Sequence, residues 1–419
     1  MNVFYRIQPN NSEMKILLIV CDGMGDRPCG ELGGKTPLEA AYKPNLDRMA
    51  SEGMCGLVDT IAVGVRPGSD TSHLSLFGYD PREYYTGRGP FEAAGVGMEL
   101  REGDVAFRVN FGTVDGDLVV TDRRAGRIDD VTELSRAVDG IEIDGIRFTV
   151  KAGTGYRAGL VLRGEGVSHM VSDGDSHESG SRVIEVKPLD GTPEAGKTAE
   201  AMNKYLIKAH GILGEHQVNR KRIAGGKPPA NFILARGAGR MPHIPPMKER
   251  YGLKAACVAG AGLYRGVAKA VWMDVYTPEG ATGKPNTDVK AKVSKAIELL
   301  NSGYDYAFIH VKATDVYGHD GDAKGKMKFI EKVDEALAPV LTLRDTVVAV
   351  TADHSTPCST KNHSGDPVPL LIWSPDLRTD DVKEFGERPC GKGILHRIRG
   401  LDLMNELLNL AGRGSIYGA

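Results

Sequence analysis

The stretch Pro67–His73 contains the residue types that nucleophilic chemistry requires. Ser69 follows a glycine there, and His73 lies four residues further along. A serine hydroxyl is hardly ionised at neutral pH, but coordination to a divalent cation lowers its pKa and makes it a strong nucleophile. If Ser69 begins a helix, the backbone N–H groups at that end also favour a phosphate. We therefore predict that Ser69 is a nucleophile for phosphoryl transfer.

Aspartates and histidines elsewhere in the chain have the chemistry of metal ligands. We expect them in loops that follow buried strands, where ligands of open α/β sheets bind. Mixed carboxylate and imidazole ligands suit Mn²⁺, Zn²⁺, Co²⁺ or Fe²⁺, and six such ligands suit two ions about 4 Å apart. The candidate ligands are Asp22, Asp315, His319, Asp353, His354 and His363.

Each of these residues also has an ordinary structural interpretation. Asp22 could be a helix cap, and Asp315 with His319 could be a common i,i+4 pair. Ser69 fits a turn, and His73 fits helix packing as well as it fits a phosphate contact. The occurrence of all these groups in one chain, in this order, favours the metal site.

Short apolar runs indicate the elements that must position these residues. The runs have the length and composition of strands buried on both faces, and segments with helical periodicity separate them. This alternation predicts an α/β fold with a doubly wound, mostly parallel sheet. The predicted strands are Ile16–Val20, Val58–Val63, Leu253–Ala259, Tyr306–Val311, Thr346–Thr351 and Pro369–Trp373.

The middle of the chain has a different pattern. From Val105 to Phe111 large apolar residues alternate with smaller or polar ones, which predicts half-exposed antiparallel strands. Three prolines in Met241–Met247 indicate a return linker. We predict a discontinuous metal-binding domain over residues 1–102 and 245–419, with an inserted α+β domain over residues 103–244.

Composition limits the classes of partner. The 419 residues include 53 Lys+Arg and 55 Asp+Glu, and the net charge of −2 gives no basic bias toward nucleic acid or an anionic membrane. Ile16–Cys21 is too short for a membrane span, and six dispersed cysteines fit reduced thiols in the cytoplasm. Met14 could be the biological start, which would leave residues 1–13 as a leader. Neither a complete GxGxxG fingerprint nor a Walker lysine motif is present, so nucleotide binding is not expected.

Five motifs together resemble the alkaline phosphatase superfamily and, more closely, the archaeal type of cofactor-independent phosphoglycerate mutases. The similarity runs from about Lys15 to the C-terminus. The motifs are Asp22-Gly-Met-Gly, Gly68-Ser-Asp-Thr-Ser-His73, Asp315-Val-Tyr-Gly-His319, Thr351-Ala-Asp-His354 and His363-Ser-Gly-Asp-Pro-Val-Pro369.

This resemblance implies a metal arrangement and a reaction. Asp315, His319 and His363 would hold one divalent ion, and Asp22, Ser69, Asp353 and His354 the other. The ions are expected among Mn²⁺, Co²⁺, Zn²⁺ and Mg²⁺, without bisphosphoglycerate. Ser69 would take the phosphoryl group from 3-phosphoglycerate, and the 2-hydroxyl of glycerate would take it back. The inserted domain would act as a lid that binds substrate and excludes water.

Basic and polar residues of the chain are candidates for the substrate contacts. Guanidinium groups suit bidentate binding of carboxylate or phosphate, although a solvated basic turn explains a cluster of arginines equally well. A polar turn with a histidine could bind the hydroxyl groups of glycerate. The candidates are His73, Arg123, Arg124, Arg127, Asp173, Asp175, His177, Arg265 and Lys312, with Arg236 and Arg240 as weaker ones.

Two other functions stay open at this point. A metal-dependent phosphomonoesterase, or a phosphotransferase for another small alcohol such as homoserine, would share the metal core. A catalytically silent metabolite-binding regulator is disfavoured by the complete ligand set with Ser69. The partner is expected to be a small molecule rather than nucleic acid or membrane, and a homo-oligomer stays open.

Overall fold

A computed structural model of the chain describes residues 13–375 and 377–416, and these form two compact units. The first unit contains the described residues of Met1–Tyr84 together with Pro245–Ala261 and Val271–Ala419, and the second contains Tyr85–Ile244 and Gly262–Ala270. The chain thus first passes from one unit to the other between residues 84 and 85. The functional assignment of the two predicted domains stays a prediction, and residues 1–12 of the expected leader lie outside the described residues.

The described residues form fourteen strands and fifteen α-helices. The strands are β1 Lys15–Cys21, β2 Met54–Asp59, β3 Val105–Val114, β4 Val120–Asp122, β5 Ile141–Ile143, β6 Ile146–Ala152, β7 Arg157–Arg163, β8 Phe232–Gly239, β9 Ala255–Val258, β10 Asp274–Tyr276, β11 Tyr306–Val311, β12 Thr346–Thr351, β13 Val368–Trp373 and β14 His396–Arg399. The helices are α1 Pro37–Ala40, α2 Pro44–Ser51, α3 Ser69–Leu76, α4 Pro81–Tyr84, α5 Gly89–Gly95, α6 Thr132–Ala137, α7 Pro193–Glu215, α8 Gln217–Ala224, α9 Met247–Tyr251, α10 Gly262–Ala270, α11 Val289–Asn301, α12 Ala313–Asp320, α13 Ala323–Leu337, α14 Glu387–Cys390 and α15 Gly400–Leu410.

The first unit is built on an eight-stranded sheet in the order β10-β9-β11-β1-β12-β13-β2-β14. Adjacent strands are parallel except at β13, which is antiparallel to both β12 and β2. Ile16 to Val20 are fully buried, so helices must cover both faces of the sheet. The predicted α/β fold with a mostly parallel sheet is therefore confirmed.

One predicted strand lies in the wrong place. We expected Val58–Val63, but β2 ends at Asp59 and the chain then turns into a loop in which Val63 is 70% exposed. Apolar composition alone misled the prediction, because this loop carries valines that face solvent. The displacement matters because residues 60–68 lead directly to Ser69.

The second unit is built on an antiparallel sheet in the order β4-β3-β7-β6-β5, with β8 paired to β3. The antiparallel pairing of β3 agrees with the prediction, but the predicted half-exposed face is wrong, because nearly every residue of β3 is buried. The large side chains of β3 lie in one core, while Ala106 packs with Ala93 of α5 and Val161 on the opposite face. The alternation along β3 therefore reflects large and small residues on two covered faces rather than a buried and a solvated face.

Candidate active site

Three neighbouring parallel strands place most of the candidate ligands at one edge of the sheet. β1 lies between β11 and β12, and all three run in the same direction. Asp22 directly follows β1, Asp353 follows β12 by one intervening residue, and Asp315 lies in the first turn of α12, directly after β11. Residues nearly three hundred positions apart thus meet because their strands are neighbours.

His363 and Ser69 reach the same edge by different routes. β13 runs antiparallel to β12, so the loop before β13, which carries His363, lies where β12 ends. β2 is antiparallel to β13 and therefore runs in the same direction as β12, which directs its following loop and the start of α3 to this edge. Ser69 is the first residue of α3, as predicted.

The side chain of His354 is the centre of one group of candidate ligands. Its Nε2 atom lies 3.2 Å from Ser69 Oγ, 3.2 Å from Asp353 Oδ2 and 3.4 Å from Asp22 Oδ1. All four residues are buried. Burial is the main cause that holds the pKa of His354 well below its usual value, and the neighbouring His363 lowers the pKa further. A neutral ring nitrogen thus faces three oxygen atoms.

A second group of candidate ligands surrounds Asp315. Its Oδ1 atom lies 3.3 Å from His319 Nε2 and 3.6 Å from His363 Nε2. The other ring nitrogen of each histidine contacts a main-chain carbonyl, with His319 Nδ1 2.9 Å from Lys361 O and His363 Nδ1 3.0 Å from Pro67 O. A carbonyl only accepts hydrogen bonds, so in the neutral rings Nδ1 carries the proton and both Nε2 lone pairs point toward the carboxylate.

Asp22 is held by two basic residues from β11 and the turn after it. His310 Nε2 lies 3.0 Å from Asp22 Oδ2, and Lys312 Nζ donates to both carboxylate oxygens at 3.1 Å and to Asp315 Oδ2 at 2.6 Å. Burial favours the neutral acids, but Lys312 overcomes it, so the pKa of Asp22 lies well below its usual value and that of Asp315 is lowered to about 2. Lys312, predicted as a substrate contact, thus bridges two candidate metal ligands.

Asp353 is the unsatisfied member of the site. Its Oδ1 atom accepts a hydrogen bond from Gly23 N at 3.0 Å, whereas its buried Oδ2 atom accepts none from the described residues. Burial, together with the charges of Asp22 and Asp315, raises the pKa of Asp353 well above its usual value.

This donor set fits divalent cations. Imidazole lone pairs that face carboxylate oxygens repel one another unless a cation lies between them, and the orphaned oxygen of Asp353 has the same requirement. Two overlapping sets of three candidate ligands have their donor atoms within 4.8 Å of one another: Asp315, His319 and His363, and Asp22, Asp315 and His354.

His73 is buried one helical turn after the nucleophile candidate, in the same helix. Its side chain is fully buried, its Nδ1 atom is 2.6 Å from Ser69 O, and its ring packs against Phe77, Phe308 and His310. Burial lowers its pKa to about 4. This environment favours a packing role, and the substrate contact of His73 stays a prediction.

The second unit contains a separate polar cluster that includes four of the predicted substrate residues. Arg123 makes a bidentate pair with the buried Asp175, with Nε 3.2 Å from Oδ1 and Nη2 2.5 Å from Oδ2. His177 Nε2 lies 3.0 Å from Asp173 Oδ2, and Arg236 Nη1 lies 3.1 Å from His177 Nδ1. Although burial favours the neutral acid, Arg123 and the amide of His177 keep the pKa of Asp175 below its usual value.

The remaining predicted substrate residues do not join this cluster. Arg124 and Arg127 are exposed, and the guanidinium group of Arg124 lies over the ring of Tyr156. Arg265 lies on α10, and its buried Nε atom has no hydrogen-bond partner in residues 13–375 and 377–416. The turn thus directs Arg123 inward and leaves Arg124 and Arg127 exposed, and their substrate contacts stay predictions.

Several residues of the site were missed from the sequence. His310 gave a signal, since it is the polar residue in the otherwise apolar run Tyr306–Val311. Thr356 gave no such signal in the sequence. Its Oγ1 atom lies 2.9 Å from Asp315 Oδ1 and 3.0 Å from His354 Nδ1. A separate ion-pair cluster of the second unit was also missed: Glu92 pairs with Arg88 and Arg108 at 3.0 and 3.6 Å, and Arg108 is hidden in the alternating pattern of β3.

Comparison with known proteins places the chain in a class. The profile of the Metalloenzyme superfamily matches residues 14–410. The chain belongs to this superfamily, and the superfamily together with the donor sets above indicates dependence on divalent metal.

Closely similar proteins define the family within that class. A 2,3-bisphosphoglycerate-independent phosphoglycerate mutase of Archaeoglobus fulgidus is 52% identical over 97% of this chain and 100% of its own length. A solved structure from Pyrococcus horikoshii has a TM-score of 0.84 at 42% identity, covering 97% of this chain and 100% of that one. The cofactor-independent phosphoglycerate mutase of Thermoplasma acidophilum has a TM-score of 0.69 at 39% identity, over 95% and 100%. The chain belongs to the family of 2,3-bisphosphoglycerate-independent phosphoglycerate mutases.

The helices that the structure describes are each too short or too polar for a membrane span. Among the residues that the structure describes, no helix combines the length and the apolar character needed to cross a bilayer.

Proposed function

We propose that this chain interconverts 3-phosphoglycerate and 2-phosphoglycerate through a phosphoserine at Ser69, without bisphosphoglycerate. The family supports the reaction, and one observation carries the role of Ser69. Its hydroxyl oxygen, at the N-terminus of α3, lies 3.2 Å from His354 Nε2, among the candidate metal ligands. Phosphoglycerate is accordingly the proposed small-molecule partner, and the six cysteines, all free thiols, are consistent with the cytoplasm as the proposed compartment.

The proposal assigns seven residues to two divalent cations. One cation is held by Asp315, His319 and His363, and the other by Asp22, Ser69, Asp353 and His354. Mn²⁺ is the first choice because mixed oxygen and imidazole ligands suit it, with Co²⁺, Zn²⁺ and Mg²⁺ as alternatives. When bound, such cations lower the pKa of the serine hydroxyl and neutralise charge on the phosphoryl oxygens.

Ser69 supplies the nucleophile in a two-step reaction. Ser69 Oγ loses its proton and forms a bond to phosphorus while the bond from phosphorus to the 3-oxygen of glycerate breaks, and that oxygen takes up one proton. The 2-hydroxyl of the bound glycerate then loses its proton and attacks phosphorus, the bond to Ser69 Oγ breaks, and Ser69 Oγ regains a proton. The backbone N–H groups at the start of α3 stabilise the phosphoryl charge in both steps.

The polar cluster of the second unit is the proposed binding site for the glycerate part of the substrate. Arg123 and Arg236 suit the carboxylate, and Asp173 and His177 suit hydroxyl groups. Asp175 holds Arg123 in place through a bidentate pair. This assignment predicts that substitutions in the cluster affect substrate affinity more than metal affinity.

A coupled assay tests the reaction directly. With 3-phosphoglycerate as substrate, added enolase converts 2-phosphoglycerate to a product with ultraviolet absorbance. We expect turnover with Mn²⁺ in the absence of bisphosphoglycerate. The chelator-treated protein should be tested by stopping its reaction first and then measuring 2-phosphoglycerate with enolase and excess Mg²⁺, because enolase itself needs a divalent metal, and we expect no product from it. Ser69→Ala should lower kcat by about 10³-fold or more.

Ser75→Ala is the matched control for the nucleophile. Ser75 is buried in the same helix, and its hydroxyl oxygen has no hydrogen-bond partner within the described part of the chain. Its variant should keep normal turnover.

Three outcomes would contradict the proposal. Intact turnover in Ser69→Ala would exclude the phosphoserine route. Release of inorganic phosphate in place of 2-phosphoglycerate would indicate a phosphomonoesterase, and transfer to homoserine would indicate a different acceptor.

A further inference from the structure

We propose that the hydroxyl group of Thr356 is a positioning device that couples the two metal-binding groups and fixes the tautomer of His354. The inference rests on the proposed metal roles of Asp315 and His354. Thr356 is fully buried, and its Oγ1 atom lies 2.9 Å from Asp315 Oδ1 and 3.0 Å from His354 Nδ1. Asp315 belongs to one proposed metal group and His354 to the other, so one hydroxyl touches both.

The direction of these hydrogen bonds follows from the number of protons. Asp315 also accepts from Lys312 Nζ at 2.6 Å, so its carboxylate is an acceptor and the single hydroxyl proton of Thr356 goes to it. The hydroxyl oxygen then accepts, and the proton between it and His354 belongs to Nδ1. The neutral imidazole ring consequently has its lone pair on Nε2, the atom that faces Ser69, Asp353 and Asp22.

The surroundings of Thr356 hold this geometry tightly. Thr356 N donates to Gly25 O at 3.0 Å, and Thr356 O accepts from Lys326 Nζ at 3.0 Å. A Cβ atom on Gly318 would lie 2.4 Å from Thr356 O, and one on Gly23 would lie 2.5 Å from Thr356 Oγ1. Two glycines therefore leave the space that the threonine occupies, and its rotamer has little freedom.

This arrangement predicts a consequence for metal binding. Partners that orient metal ligands typically change metal affinity by about 10–100-fold when removed. Because the Thr356 hydroxyl orients one ligand in each group, its loss should weaken both sites together. A residue that orients a ligand of one group would weaken one site only.

Mn²⁺ binding to the chelator-stripped, full-length protein tests the inference. Titration followed by electron paramagnetic resonance of free Mn²⁺ gives the number of sites and their Kd values. Thr356→Val replaces the hydroxyl with a methyl group of similar size, and both Kd values should rise about 10-fold or more. Thr356→Ser keeps the hydroxyl and should stay within about 3-fold of the wild type.

Thr346→Val is the matched control. Thr346 is also fully buried, its hydroxyl also contacts a carboxylate, Asp345 at 3.2 Å, and it lies at the opposite end of β12 from the site. Its Kd values should be unchanged. If Thr356→Val does not fold, the pair Thr356→Ala and Thr356→Ser differs only in the hydroxyl and gives the same comparison.

A spectroscopic signature is independent of affinity. In ¹⁵N-histidine-labelled protein loaded with diamagnetic Zn²⁺, nitrogen shifts should report the proton of His354 on Nδ1 in the wild type and in Thr356→Ser. A proton on Nε2, or wild-type Kd values in Thr356→Val, would overturn the inference. If Asp315→Asn and His354→Gln also bind Mn²⁺ normally, the proposed metal roles fail with it. If those two variants lose affinity and Thr356→Val does not, only the role of Thr356 fails.

Discussion

Lys312 should contribute strongly to the stability of the metal-free protein. Its ammonium group contacts Asp22 and Asp315, two carboxylates that are buried together. Lys312→Met keeps most of the length of the side chain and removes the charge. The remaining carboxylates then repel one another and lack the group that offset the cost of their burial. We expect the free energy of unfolding to fall.

The size of the loss can be worked from Asp315. Its pKa is lowered from 3.8 to about 2, although burial acts in the opposite direction. This lower pKa corresponds to about 2.5 kcal/mol in favour of the ionised folded form at neutral pH. Breaking a buried ion pair typically costs about 3–5 kcal/mol, and the Lys312 side chain is 22% exposed, so we expect the lower end, about 3 kcal/mol.

The loss should depend on pH in a defined direction. A carboxyl group with a lowered folded pKa stabilises the protein above its unfolded pKa, and this contribution is lost as the pH falls toward the folded value. For Asp315 the contribution is complete at neutral pH and falls to about half near pH 3. The difference in stability between wild type and Lys312→Met should therefore shrink in acid.

Urea unfolding in chelator, followed by tryptophan fluorescence, measures this difference. The chain has two tryptophans, Trp272 and Trp373, and both belong to the first unit, so the signal reports that unit. With an m value of about 3 kcal/mol per molar, the midpoint should fall by about 1 M. Lys15→Met is the control, since Lys15 pairs with Asp345 at 2.7 Å and is about as exposed as Lys312, at 27%, but the Asp345 side chain is 61% exposed; it should cost less than about 1 kcal/mol. Equal midpoints for the two variants, or a loss that does not shrink in acid, would refute the reasoning.

Two further predictions concern packing and substrate binding. Gly318→Ala should destabilise the protein by about 2 kcal/mol and weaken Mn²⁺ binding, because its Cβ would lie 2.4 Å from Thr356 O. Gly211→Ala, in an open helical position, is the control and should be neutral or stabilising. Thermal unfolding and Mn²⁺ titration of both variants test this prediction. Arg123→Gln should raise KM for 3-phosphoglycerate at least about 10-fold without changing the Kd for Mn²⁺, because it removes the guanidinium group proposed to bind the substrate carboxylate, which Asp175 holds in place. The exposed Arg124→Gln should change KM by less than about 2-fold, and equal KM values for the two variants would exclude a substrate role for Arg123.

The strands and the convergence of the first unit follow from local sequence. Continuous apolar runs mark β1, β11 and β12 because strands covered on both faces need apolar side chains throughout, and parallel strands bring their following loops to one edge. The position of His363 was harder to derive, since it depends on the antiparallel direction of β13, which its composition does not reveal. The resemblance to a known family supplied the ligand grouping that strand patterns alone left open.

Residues that act through another side chain were the ones least accessible from sequence. Thr356 looks like any threonine in a loop, and its importance appears only when Asp315 and His354 lie on either side of its hydroxyl. The arginines of the turn after β4 show a different limit of sequence patterns. Clustering in sequence suggested one binding surface, but backbone direction in a turn changes at each residue, and Arg123 alone reaches the buried Asp175.

The distribution of the proposed groups over the two units separates two kinds of experiment. Every proposed metal ligand lies in the first unit, and the cluster of Arg123, Asp173, Asp175, His177 and Arg236 lies in the second. If the proposed assignments hold, metal affinity depends on loops of one sheet, whereas recognition of glycerate depends on a different core. A change in the second unit that weakened Mn²⁺ binding as much as a ligand substitution would contradict this division of labour. A change that altered the ratio of 2-phosphoglycerate formed to phosphate released, with Mn²⁺ affinity intact, would support it.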